Sequence, residues 1–281
     1  MGLQELLLLR VARRWIAGVD LETAVKDAQA ANKKGIGVVV NFLGEEIKDS
    51  STADTQVQEY LKLQNAIKSN SVNGFASVKL TQLGLGTDDE GARRRLETIA
   101  ANAESLGQQL FVDMESSSMV DRTLSIYYDR LAKYRGMGLA FQSYLRRSKA
   151  DLGPLLDKGA RIRLVKGAYR ESKDIVFPSR KEINQNFIDL MKVLFERGDN
   201  FAIATHDGTL VDEAKKLAES KHVDFRFEML KGIRNELKAE LVASGYKVSE
   251  YLPYGDRWMA YSKRRVTEHP SNIWLLLRSL V

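Results

Sequence analysis

Four side chains near the C-terminus are spaced so that they could act together. Tyr261, Arg264, Arg265 and Glu268 occupy positions i, i+3, i+4 and i+7 in the stretch "YLPYGDRWMAYSKRRVTEHPSN". On a helix those offsets share one face. Two neighbouring guanidiniums form a fork that grips a small carboxylate or phosphate through paired hydrogen bonds, and Glu268 can hold one of them in place. The same spacing also describes a solvated helix face with an ordinary Arg–Glu pair. Gly255 breaks the chain just ahead, and Asp256 can cap the helix that follows.

A second set of polar residues sits at the ends of short apolar runs: Lys79, then Asp113 and Met114 in "FVDMES", and Gln142 in "FQSYL". "RLVKGAY" carries Arg163 inside the run, with Lys166, Gly167, Ala168 and Tyr169 at its end. "ATHDG" supplies Thr205, His206 and Asp207, and "EYLPYG" supplies Tyr251. An uncompensated buried charge is costly, so charged and amide groups at so many run ends outline a polar mouth where chemistry is done. Lys166, beside the backbone amides at Gly167 and Ala168, can hold a phosphate group.

Other chemistries find no residues here. His206 is one of three histidines and no second one lies at metal-ligand spacing, so no metal site is expected. No G-x-S-x-G elbow supports a nucleophilic serine. Cysteine is absent, which removes disulfides and thiol chemistry and fits a reducing compartment.

The elements that must position these residues alternate. Eight β-rich runs are expected at Gly37–Leu43, Phe75–Leu80, Gln109–Met114, Leu139–Tyr144, Ile162–Val165, Phe201–Thr205, Val223–Glu228 and Lys247–Leu252, separated by stretches of helical period. Eight strand-then-helix units in this length match an α/β fold of the (β/α)8 TIM-barrel type, whose chemistry gathers at the C-terminal ends of the strands. The rival, an open doubly wound sheet, lacks the G-x-G-x-x-G turn it would need for a dinucleotide. The chain reads as a single domain over 1–281, with N-terminal helices in 1–34, the barrel in 35–281, and a C-terminal helix laid over the barrel mouth.

The chain has 281 residues, 44% hydrophobic and 28% charged, with a net charge of +6. That charge suits anionic partners such as a phosphate-bearing cofactor. The lysines and arginines are spread along the chain and no recognised nucleic-acid-binding motif appears, so no nucleic-acid partner is expected. The leucine run at the N-terminus follows Gln4 and Glu5 and precedes Arg10, Arg13 and Arg14, which reads as an amphipathic packing helix rather than a leader.

The stretches "RLVKGAYRE", "ATHDG", "FEMLKGIR" and "YLPYG…W…Y..RR..E…N" resemble proline dehydrogenases over about Val38 to Asn272. The resemblance implies a distorted (β/α)8 barrel holding FAD at its C-terminal mouth and oxidising L-proline to Δ1-pyrroline-5-carboxylate. It implies that Asp113 and Arg163 are catalytic, with Arg163 also at the flavin's reactive edge. Met114, Gln142, Lys166, Gly167, Ala168, Thr205 and His206 would bind the cofactor. Arg264, Arg265 and Lys79 would grip the proline carboxylate, Tyr169, Tyr251 and Tyr261 would wall the pocket, and Glu268 would orient the arginine pair.

The resemblance further implies a quinone-type electron acceptor, a separate pyrroline-5-carboxylate dehydrogenase, and a cytoplasmic location peripheral to the inner face of the cell membrane. The tail "IWLLLRSLV" is apolar enough to touch a membrane, although packing on the barrel is its plainer reading. Two positions depart from the family pattern: Asp207 stands where many members have Asn, and Arg170 where larger members have an aromatic residue. Apart from the resemblance, a cationic barrel mouth also suits a lyase or isomerase acting on a phosphorylated small molecule.

Overall fold

The structure, a computed structural model, describes residues 3–44 and 49–262. Eight parallel strands close a barrel in sequence order: β1 (Gly37–Phe42), β2 (Gly74–Lys79), β3 (Leu110–Asp113), β4 (Met137–Gln142), β5 (Arg161–Val165), β6 (Phe201–Ala204), β7 (Phe225–Leu230) and β8 (Val248–Tyr254). Two helices, α1 (Leu3–Ala12) and α2 (Leu21–Asn32), precede the barrel. Between successive strands lie α3 (Ser50–Ser69), α4 (Asp89–Ser105), α5 (Val120–Leu131), α6 (Ser148–Asp157), α7 (Arg180–Arg197), α8 (Gly208–Ser220) and α9 (Asn235–Ala243). The expected TIM-type barrel with added N-terminal helices is the observed fold.

Five of the described helix starts have a local cause. Asp20, Asp49, Asp88, Ser179 and Asp207 sit just before α2, α3, α4, α7 and α8, and each side chain accepts a hydrogen bond from a backbone N–H of the first turn. That satisfies donors with no partner inside the helix. The inner helix faces and the outward faces of the strands form one continuous apolar core, represented by Leu63, Leu96, Tyr127, Phe187, Leu194 and Phe227.

Strand limits differ from expectation by two residues in three strands and by one residue in the other five. β4 begins two residues early and takes in Gly138, where a Cβ would lie 2.3 Å from the Phe111 ring on the neighbouring strand. β7 begins two residues late, where Phe225 pairs with Phe201 of β6. β8 runs through Pro253, which has no N–H to give, and its carbonyl accepts from the Ala17 N–H.

The C-terminal segment turns at Gly255, which adopts φ +134°, and a side chain there would press on the Phe42 ring and the Leu43 carbonyl. The following helix is described over residues 258–262 and begins at Trp258, with Asp256 in the preceding turn rather than at the helix boundary. Trp258 and Tyr261 pack against Val11, Ala12, Trp15 and Ile16, and the Trp15 indole N–H donates to the Ser262 hydroxyl at 3.0 Å. The N-terminal segment thus braces the start of the helix expected over the mouth. Arg264, Arg265, Glu268 and the apolar tail lie outside the described residues.

Candidate active site

The barrel interior is layered. Low in it, Val39, Phe75 and Phe111 form a small apolar plug with Tyr251 packed against them. Around and above this plug, four ionised side chains from three strands meet where helices and strands exclude water.

Arg163 of β5, 3% exposed, is the centre of this group. Its Nε donates to Oε2 of Glu228 on β7 at 2.5 Å, and its Nη1 donates to Oδ1 of Asp113 on β3 at 2.7 Å and to the Ser77 hydroxyl at 3.2 Å. Strand β6 lies between β5 and β7: its Ala202 pairs with Arg163 on one side and Arg226 on the other, and its Ala204 pairs with Glu228. Their methyl groups leave the space in which the guanidinium and the carboxylate meet.

Asp113 is equally committed. Oδ1 accepts from Arg163 and from Ser77 Oγ at 2.7 Å, while Oδ2 accepts from the Tyr251 hydroxyl at 2.5 Å. Burial, and after it the Asp113 charge, pushes the Tyr251 phenol well above its ordinary range, so Tyr251 is a neutral donor. Burial also works against a charged Arg163, yet the two carboxylates outweigh it and raise its pKa. Arg163 is therefore a permanent buried cation.

These groups line the floor of a cavity of about 460 Å³ at the C-terminal ends of the strands. Lys79, Asp113, Met114, Gln142, Arg163, Lys166, Gly167, Ala168, Tyr169, Thr205, His206, Tyr251 and Tyr261 all line it. Every site residue singled out in the sequence that falls within the described residues is thus brought to one place. A wider cavity, about 760 Å³, opens at the opposite end of the barrel, but Asp113, Arg163 and the strand-end motifs do not line it.

Nη2 of Arg163, a donor, and Oε1 of Gln142, an acceptor, are buried on cavity residues without a hydrogen-bond partner among the described residues. Gln142 is fixed at its other end, where Nε2 donates to the Glu115 carbonyl at 3.0 Å. Buried polar atoms are normally satisfied, so a fixed donor and a fixed acceptor in one cavity suit a flat polar ligand that offers both. His206 is held too: its Nε2 accepts from the Leu230 N–H at 2.9 Å, which leaves the ring's proton on Nδ1 in the neutral form.

At the rim, Lys166 donates to Oδ2 of Asp207 at 2.8 Å, and Arg180 and Asn184 each reach the same oxygen at 3.2 Å. Burial alone would raise the Asp207 carboxyl, but Lys166 leads a set of donors that brings it down to about 2. The two cations and one carboxylate leave the rim positive. Gly167 is required within the protein itself: it has φ +111°, and a Cβ would lie 2.2 Å from the Tyr144 ring.

Asn41, Arg180, Glu228, Met229 and Leu230 also line the cavity and were missed in the sequence. Asn41 and Glu228 carried a legible signal, a polar residue on the inward phase of an otherwise apolar strand. Arg180 carried none, since a basic residue at a helix start is ordinary.

Comparison with known proteins points one way. The family model described as Proline dehydrogenase matches residues 24–273. The chain is 34% identical over 273 residues to Proline dehydrogenase 1 of Bacillus subtilis, with 96% of this chain and 90% of that protein covered. It is 33% identical over 279 residues to Proline dehydrogenase of Deinococcus radiodurans, at 96% and 90% coverage. Among solved structures, proline utilization A of Bdellovibrio bacteriovorus, inactivated by N-propargylglycine, superposes with a TM-score of 0.85 at 23% identity. This chain covers 32% of that longer one, so the match speaks for the fold.

Proposed function

The chain belongs to the proline dehydrogenase family, and from that premise we propose that it oxidises L-proline to Δ1-pyrroline-5-carboxylate in proline catabolism with FAD held in the cavity at the barrel mouth. The observation that carries the cofactor is the buried pair of unsatisfied atoms, Arg163 Nη2 and Gln142 Oε1, on the cavity wall. A flavin ring offers acceptors along one edge and an imide N–H beside them, which is the complement of that pair. A phosphorylated-substrate lyase or isomerase draws no support from the family relationship.

FAD, when bound, supplies the hydride acceptor. Arg163, held by Asp113 and Glu228, places a fixed positive charge at the cavity floor, where it favours the electron-rich form of a ring above it. Met114, Gln142, Thr205 and His206 would frame the ring, and Lys166 with the Gly167 and Ala168 backbone would meet the phosphates. Lys166 is tied to Asp207 in the described state, so binding a phosphate there means sharing or exchanging that partner.

Proline has one strong handle, its carboxylate. Lys79 lies within the cavity, and Arg264 and Arg265 follow Tyr261 by three and four residues on the segment that Trp15 braces. A cationic clamp on that carboxylate fixes the ring carbon for transfer. Tyr251, Tyr169 and Tyr261 wall the same space, and covering the substrate with them excludes water. Tyr251 also donates to Asp113, which ties the substrate wall to the charged floor.

For the electrons, a quinone-type acceptor and a separate dehydrogenase for the product complete the reading. Among the described residues no helix is long and apolar enough to cross a membrane. One titration tests the core of the proposal: purified protein should carry flavin absorbance that bleaches anaerobically as L-proline is added. Protein that binds no flavin, or flavin that proline leaves oxidised, overturns it.

A further inference from the structure

Below Arg163 the charged chain continues to a residue that does not line the active-site cavity. Arg226, on β7 two residues before Glu228, donates from Nε to Glu228 Oε1 at 2.7 Å and from Nη1 to Asn200 Oδ1 at 3.1 Å. Its guanidinium lies 4.9 Å from the Phe75 ring centre and 5.2 Å from that of Phe111. Arg163 lies 4.7 Å from the same Phe111 ring, so the aromatic side chain and Glu228 both stand between the two cations. The order from the lower cavity to the upper one is Arg226, Glu228, Arg163, Asp113 and Tyr251.

Glu228 is the hinge of this arrangement. It is 2% exposed, and each of its oxygens is spent on a different guanidinium. Burial would raise its carboxyl, but Arg163 and then Arg226 outweigh that and hold it below its ordinary value, so it stays ionised. A carboxylate shared between two cations neutralises each of them less than one devoted to a single partner. In so dry a place the sharing is felt strongly, because screening is weak.

We infer that Glu228 and Arg226 are positioning residues that set how much positive charge Arg163 presents to the cavity, and through it the reduction potential of the flavin. The inference rests on the flavin reading proposed above. Reduced flavin carries extra negative charge, so a stronger Arg163 favours reduction and a more neutralised one disfavours it. The two residues therefore act with opposite sign. Removing the Glu228 charge unmasks Arg163 and raises the potential. Removing Arg226 leaves Glu228 to Arg163 alone and lowers it.

A purely structural role predicts something else, since both losses would loosen the same ion chain and move any readout in one direction. The test measures flavin potential and the affinity of the oxidised flavin for sulfite in Glu228→Gln, Arg226→Met and the double variant. Methionine keeps the apolar contact with Phe75 and Phe111. Expected are at least a tenfold tighter sulfite complex in Glu228→Gln, a tenfold weaker one in Arg226→Met, and a return towards the parent in the double variant. A tenfold change in the two-electron equilibrium is ~30 mV.

Shifts of the same sign in both single variants, or changes below threefold, overturn the inference. If Glu228→Gln does not fold, Arg226→Met must still lower the potential and the double variant restore it, and failure of either overturns the inference. Parent protein without flavin overturns this inference and the proposed function together. Flavin that binds and bleaches with proline, but whose potential is indifferent to both residues, overturns this inference alone.

Discussion

Asp113→Asn is the substitution that most directly probes the charged floor of the cavity. The carboxylate accepts three hydrogen bonds, from Arg163 at 2.7 Å, Ser77 at 2.7 Å and Tyr251 at 2.5 Å. An asparagine fits the same volume, and its amide oxygen can keep the Arg163 and Ser77 bonds. Its NH2 then faces the Tyr251 oxygen, which can turn to accept. What disappears is the charge. A hydrogen bond to a charged group contributes about 1.5–3 kcal/mol and a neutral one about 0.5–1.5 kcal/mol, so the Ser77 and Tyr251 bonds reduced to neutral ones cost roughly 2–3 kcal/mol, and the lost counter-charge of Arg163 adds to that. Breaking one side of a buried ion pair independently gives about 3–5 kcal/mol. The assay is urea unfolding, where the midpoint should fall with an unchanged slope. Tyr251 should also titrate lower than in the parent, because the Asp113 charge and its hydrogen bond no longer raise it, while burial remains. A stability loss below about 1 kcal/mol, less than a single charge-assisted bond, would refute the view that Asp113 is an ionised anchor for Arg163.

Further outcomes follow from other contacts. Arg264→Met or Arg265→Met should raise the KM for proline about 10- to 150-fold, the equivalent of one charge-assisted bond, while flavin content stays at the parent level; an unchanged KM in both would remove the clamp. Asp207→Asn frees Lys166 and Arg180 from a carboxylate, so cofactor affinity measured by flavin fluorescence should rise, and a fall would show that Asp207 orients Lys166 rather than competing for it. The Asp207 carboxyl has a folded value of about 2, below its ordinary 3.8, so the stability it contributes is complete above about pH 4 and is lost as pH falls towards 2. Thermal midpoints taken between pH 5 and 2 should show that loss in the parent and a smaller one in Asp207→Asn. Lys238, 1% exposed on its side chain, holds Glu250 and the Leu230 carbonyl. Lys238→Met should cost about 3–5 kcal/mol in urea unfolding by leaving the carboxylate unpaired.

The barrel was legible in the chain because its signals are local. Apolar runs in "GVVVNFL", helical periods such as "GARRRLETIAANAESLG", and an Asp or Ser ahead of a helix can each be read within a few residues. The site was legible for a related reason. In this fold the C-terminal ends of all eight strands converge, so polar residues at strand ends must share one mouth even when they are far apart in sequence. Asp113, Gln142, Lys166, His206 and Tyr251 were found that way, and all of them line one cavity.

Local signals failed where a contact depends on a neighbour's size or on the chain's far end. Gly138 lay outside the expected strand, yet it is part of β4, where the Phe111 ring occupies the space of its missing side chain. Glu228 stood at the end of an expected strand without a stated role, because its partner, Arg163, lies 65 residues away, across the β6 strand that carries Ala202 and Ala204.

By itself, then, the sequence determined the number and order of the elements, the end of the barrel that carries chemistry, and the residue types gathered there. Each of these follows from patterns a few residues long. Only the tertiary structure decided who neutralises whom. Glu228 is divided between Arg163 and Arg226, Asp207 is bound to Lys166, and Trp15 braces Ser262 across 247 residues of chain. Those pairings arise from barrel closure and register, which bring distant side chains within 3 Å where water cannot compete, and no local pattern encodes that distance.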